Sequence, residues 1–103
     1  LSATRLRNLL SKLYGMPVHV SIDIDVLDPS LVPGVSYPEP GGLSLGELIE
    51  VLRETMATLN VVSLDLVELA PGLDPTGVSQ LYAAKVLLHA LYTHYASRRT
   101  CYV

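Results

Sequence analysis

Two strand-like segments separated by one capped, amphipathic helix constrain this chain more than any other feature. Residues 18–25 alternate apolar and polar side chains with period two (Val-His-Val-Ser-Ile-Asp-Ile-Asp). That alternation predicts a strand with His19, Ser21, Asp23 and Asp25 on one face. Residues 61–67 are nearly continuous in apolar character, as buried strands of parallel sheets are. Between them, Ser44 and Glu47 make a capping box, and Leu45, Leu48, Ile49, Leu52, Met56 and Leu59 recur at helical spacing. Strand, helix, strand predicts a βαβ unit with parallel strands and a right-handed crossover.

A further helix is expected on each side. Over residues 5–14, Leu6, Leu9, Leu10 and Leu13 form an apolar stripe that Tyr14-Gly15 ends. From about Thr76 to Tyr95, Leu81, Ala84, Leu88, Leu91 and Tyr95 fall on one side of a long last helix. Residues 28–42 hold four prolines and three glycines, so they read as a structured loop. The fold class is α/β. Two strands do not make a stable parallel sheet with both faces covered, which points to missing partners.

Composition supports that reading. Of the 103 residues, 50% are hydrophobic and only 17% charged, rich in apolar side chains for a small domain. Some faces are therefore expected to be covered by chain not present in this sequence. The whole of residues 1–103 reads as the C-terminal part of a single domain, and the opening Leu1 suits a truncated or processed chain. A net charge of −3 argues against a nucleic-acid partner. The single cysteine, Cys101, cannot form an internal disulfide and is expected to be inert in a tail. No apolar run is long enough to span a bilayer and no signal-peptide pattern opens the chain, so no membrane partner and a cytoplasmic location are expected.

Ligands of open parallel sheets gather outside the carboxyl ends of the strands. Asp23 and Asp25 close the first segment and Glu68 closes the second, so all three carboxylates are expected at one edge. Two carboxylates two residues apart repel unless a cation or a shared proton neutralises them, and hard oxygen ligands suit Mn or Mg. The same pair also fits an ordinary acidic strand end facing water or backbone amides. Asp28, before Pro29, is expected to order its turn. Glu68 fits a cationic substrate group, a Lys or Arg partner, or solvent. His19 reads as a hydrogen-bonded core histidine, and His89 and His94, five apart on the last helix, read as solvent-exposed.

Residues 21–29, Ser-Ile-Asp-Ile-Asp-Val-Leu-Asp-Pro, resemble the S-x-D-x-D-x-L-D-P signature of the ureohydrolases, the arginase, agmatinase and formimidoylglutamase family. Residues 32–43 are similar to the loop that follows it there, and Val67-Glu68-Leu69-Ala70-Pro71 to a later V-E-x-N/A-P segment. The resemblance runs through almost the whole chain in the right order. It implies a three-layer α/β/α domain with a parallel sheet, of which this chain is the C-terminal part. It also implies two Mn2+ ions per complete active site, sharing a water or hydroxide that attacks a guanidinium carbon and releases urea and an amine. Asp23 would bridge both metals and Asp25 bind one of them, which makes both catalytic, while Glu68 would meet the guanidinium of a small substrate. Such relatives tend to be trimers or hexamers, so a homo-oligomer is expected of the complete enzyme.

The departures carry equal weight. The family's D-x-H-x-D segment, its other His-containing metal segment and its proton-shuttle histidine occur nowhere in these residues. The chain alone is therefore expected to be inactive. Gly34-Val35-Ser36-Tyr37-Pro38 is closer to plant arginase-like and formimidoylglutamase-like members, while Ala70-Pro71 leans toward agmatinases. The leading expectation is an amidinohydrolase acting on a linear guanidino compound such as agmatine or arginine. The alternatives are a formimidoylglutamase-type hydrolase and a non-catalytic half-domain serving as an interaction module.

Overall fold

The structure, a computed structural model, describes residues 2–99. Helix α1 (Ala3–Ser11), strand β1 (Pro17–Asp23), helix α2 (Leu45–Thr58), strand β2 (Asn60–Val67) and helix α3 (Val78–Arg99) follow in the expected order. Their ends have local causes. Ser2 caps α1 by accepting the Arg5 N–H at 3.2 Å. The chain then turns through Gly15, whose φ of +80° a side chain would resist. Helix α2 opens with the expected capping box: Glu47 N–H donates to Ser44 Oγ at 3.2 Å, and Ser44 N–H donates to Glu47 Oε1 at 3.0 Å.

Strands β1 and β2 pair in parallel, from Pro17 opposite Asn60 to Asp23 opposite Val67. Helix α2 lies in the long connection that a parallel pair demands. The register is interrupted once. Val18 faces Val61 but His19 faces Ser63, so Val62 is an extra residue on β2, a β-bulge.

The core lies on one face of this pair. Ile22 and Val61 pack with Leu10 of α1, Leu48, Leu52 and Met56 of α2, and Ala83, Val86 and Ala90 of α3, with Val18, Val20, Leu64 and Leu66 against them. Each large side chain in this cluster contributes roughly 1.5–3 kcal/mol by leaving water. The opposite face carries His19, Ser21, Ser63 and Asp65, all exposed.

Four expectations need correction. Strand β1 ends at Asp23, and residues Ile24–Val26 form a 3-10 turn because Ile24 and Leu27 dive into the core, 0% and 1% exposed. Strand β2 is not buried on both faces: Val61 is buried, whereas Val62 is 62% exposed. On α3 the stripe Leu81, Ala84, Leu88, Leu91 and Tyr95 faces outward, and the smaller Ala83, Val86 and Ala90 face the core. Those small residues let the helix backbone approach α2 closely. Finally, α3 runs on to Arg99 rather than ending near Tyr95. The expectation for Cys101 lies outside the described residues.

Candidate metal and substrate site

Asp23 is the last residue of β1 and lies opposite Val67, the last of β2. Glu68 therefore leaves the sheet at the same edge as Asp23, one residue further on. Asp25 reaches that edge by a different route from the one expected. It does not continue the strand but sits in the 3-10 turn, where its backbone N–H donates to Asp23 Oδ1 at 3.2 Å. The turn returns the second carboxyl to the first. Asp25 is pushed up to about 6 by a side-chain hydrogen bond with Asp23, then by burial, and then by repulsion from Asp23 and Glu68. The three acids thus feel one another electrostatically. Among the described residues no Lys or Arg forms an ion pair with any of them.

Glu68 carries a feature with no trace in the sequence. Its φ is +72°, the only positive φ of a non-glycine residue among the described residues. Side chains in this region cost about 1–2 kcal/mol, and such residues gather at functional sites. The neighbourhood explains how the conformation is held. Ala70 N–H donates to Gly34 O at 2.7 Å, and Val35 bridges Leu69, so the chain just after Glu68 is pinned to the loop that follows β1.

That loop is built around Asp28. Its carboxylate accepts from the side chain and backbone N–H of Ser30 and from the backbone N–H groups of Gly41 and Gly42, at 3.0 and 3.2 Å. These bonds, the Ser30 hydroxyl's first, hold Asp28 below the ordinary carboxylate range. The expected turn-ordering role holds, and extends to residues 13 and 14 positions away. Glycine is required at 42: a Cβ there would sit 2.6 Å from Asp28 N and 2.8 Å from Val26 O. A second knot lies beneath the loop. Buried Ser79 accepts the Gly34 N–H at 2.8 Å and donates to Asp74 Oδ2 at 2.6 Å, while Asp74 also accepts from Ser79 N–H and Thr76.

The histidines are placed differently from expectation. His19 is hydrogen-bonded, to Ser63 and Asp65, but on the open sheet face, with its side chain 50% exposed, rather than in the core. Parallel neighbours on that face are polar, so it stays wet. His89 and His94 are partly buried rather than exposed. The latter lines a groove with Met56, Val61 and Leu91, since the outer flank of α3 leans over the β2 edge. Among the described residues no group of three or more His, Cys, Asp or Glu is close enough to hold a metal ion.

The comparison with known proteins decides the family. Residues 2–92 match the Arginase family. The chain belongs to the arginase family. An agmatinase of Halalkalibacterium halodurans is 43% identical over 90 residues, covering 86% of this chain and 31% of that protein. The crystal structure of a hypothetical agmatinase from Burkholderia thailandensis superposes with a TM-score of 0.81 at 30% identity, covering 97% of this chain and 31% of that one. A formimidoylglutamase from Bacillus subtilis superposes at 0.70 with 40% identity, covering 76% and 24%. The chain spans about a third of the length of the relatives it matches. The α/β architecture with a parallel sheet is that of the arginase fold. No helix among the described residues is long and apolar enough to cross a membrane.

Sequence reasoning missed Asp65, Ser63, Asp74 and Ser79. The first two were detectable: Ser63 and Asp65 alternate with Val62, Leu64 and Leu66, a period-two pattern inside a strand that reads as uniformly apolar. Asp74 and Ser79 join a turn to the first turn of α3, and only the fold shows that Gly34 lies against them.

Proposed function

We propose that this chain is the C-terminal part of a two-manganese amidinohydrolase that cleaves a C–N bond of a linear guanidino compound, agmatine first among the candidates, to give an amine and urea. The observation that carries the reading is the arrival of Asp23, Asp25 and Glu68 at one sheet edge in a chain of the arginase family. The donor chemistry fits a hard divalent cation. The crowded carboxylates, whose hydrogen bond between Asp23 and Asp25 comes first in raising Asp25, ahead of burial and their mutual repulsion, are relieved by a metal ion. Asp23 and Asp25 would hold manganese, and the remaining ligands would come from outside the described residues. Bound there, manganese supplies Lewis acidity and a nucleophile drawn from water at neutral pH.

This chain's own residues then have separate tasks. Asp23 and Asp25 fix the reacting end of the site. Glu68, immediately after the neighbouring strand, faces the guanidinium of the substrate, where a carboxylate forms charge-assisted, bidentate hydrogen bonds. Its left-handed backbone turns the chain off the sheet immediately after Val67 and so aims it. The agmatinase likeness favours a substrate without an α-carboxylate. A formimidoylglutamase-type substrate is the second reading, favoured by the 40% identity to that enzyme. The complete enzyme is proposed to be a homo-oligomer, a trimer or hexamer, with no nucleic-acid partner.

The test is urea release by the native gene product with manganese, offered agmatine, arginine and formimidoylglutamate in parallel. Agmatine turnover supports the reading. Formamide and glutamate released from formimidoylglutamate alone would move it to the second, and inertness toward all three in the presence of manganese would overturn it.

A further inference from the structure

The open face of the sheet holds one connected polar network. Ser21 Oγ donates to Asp65 Oδ1 at 2.6 Å, Asp65 Oδ2 meets His19 Nε2 at 3.0 Å, and His19 Nδ1 meets Ser63 Oγ at 2.6 Å. All three links run between the two strands. Two of the contacts, His19 with Ser63 and Ser21 with Asp65, join residues that are direct register partners. The network begins at the first pair after the bulge at Val62 and ends two residues before Asp23 and three before Glu68.

We infer that Ser21, Asp65, His19 and Ser63 are positioning residues that lock the strand register after the bulge and so set Glu68 against Asp23 across the sheet edge. The inference rests on the proposed roles of those two acids. A bulge makes register the weak point of this pair, because absorbing Val62 back into the ladder would slide β2 by one residue. That slip is about 3.3 Å along the strand and turns every β2 side chain to the other face. It would take Glu68 out of line with Asp23 and put Ser63 and Asp65 toward the apolar core. The apolar side of the pair resists the slip through Ile22, Leu64 and Leu66. The polar side resists it through directional bonds: Asp65 finds both Ser21 and His19 only in the observed register. Asp65 is held below the ordinary carboxylate range by the Ser21 hydroxyl first and by His19 after it, consistent with an acceptor in use from both sides.

The split between strands makes the role separable from general stability. Asp23 and Asp25 both follow β1, whereas Glu68 follows β2. Loss of the lock should therefore disturb the substrate's guanidinium contact while leaving the β1 carboxylates where they are. The experiment uses the native gene product with Asp65→Ala, Ser21→Ala and the conservative Asp65→Asn, which keeps an acceptor for Ser21. Three readouts are taken: manganese affinity by calorimetry, kcat/KM with agmatine, and deuterium exchange of the β1 and β2 amides. A misplacement of an ångström or more costs on the order of 100-fold in turnover. Asp65→Ala is expected to lower kcat/KM by that factor, to deprotect the amides of residues 64–67, and to leave manganese affinity within about twofold, with Asp65→Asn recovering most of the loss. Unchanged exchange and unchanged kcat/KM in Asp65→Ala would overturn the inference. So would a loss of manganese affinity equal to the loss of rate. If the wild-type protein turns over no guanidino compound, the proposed function fails, and amide exchange alone decides the register lock.

Discussion

Asp25 donates its backbone N–H to the side chain of Asp23 at 3.2 Å, although the two residues belong to different elements. Strand alternation is therefore not what brings the carboxyls together. The strand stops and a 3-10 turn bends the second acid back, while Ile24 and Leu27 anchor that turn in the core. Replacing Ile24 by Ala would loosen the acid pair from behind.

Glu68 sets stability against function at one position. Its φ of +72° is a conformation that glycine adopts without penalty and alanine does not. Glu68→Gly is expected to be more stable than Glu68→Ala by about 1 kcal/mol, with both failing in substrate turnover and both keeping their manganese. Denaturant midpoints of the two variants check the order. Equal midpoints would mean that the backbone strain is relaxed in solution.

Ser79 is wholly buried and serves two partners, the Gly34 N–H and the Asp74 carboxylate. Ser79→Ala leaves both without that bond. The expected cost is about 1–3 kcal/mol, the usual penalty for stranding a buried polar group. Thermal unfolding measures it, and a change of a few tenths would show that water replaces the hydroxyl.

Asp74 makes folding stability depend on acid. Hydrogen bonds from the Ser79 hydroxyl, the Thr76 hydroxyl and the Ser79 N–H, in that order, hold it far below the ordinary carboxylate range. A depressed folded value means the native state binds fewer protons than the unfolded chain. Its contribution is therefore complete above the ordinary value of 3.8 and is lost as pH falls below it. Denaturant midpoints at pH 5 and pH 3 should differ more in the wild type than in Asp74→Asn. Equal slopes would remove Asp74 from the account of acid sensitivity.

Much of this fold was legible in the residues. The capping box at Ser44 and Glu47, the α2 stripe from Leu48 to Met56 and the parallel strands all follow from spacing and turn chemistry. The outward face of α3 was not legible. Leu81, Leu88 and Leu91 look like a core stripe, but the close approach to α2 selects Ala83, Val86 and Ala90 instead. Periodicity reports that a face is apolar, not which neighbour will cover it. The positions of Asp23 and Glu68 in sequence implied a shared edge, because parallel strands end together. The bulge at Val62 and the left-handed turn at Glu68 were invisible, since both arise from tertiary constraint on residues with no glycine to announce them.

The proposed function stands on Asp23 belonging to a manganese site that works together with Glu68. The most direct test is the manganese content and urea release of the native gene product as wild type and as Asp23→Ala. The wild type is expected to hold about two manganese ions per protomer, and the variant to lose both metal and rate. Full manganese stoichiometry and an undiminished rate in Asp23→Ala would contradict it.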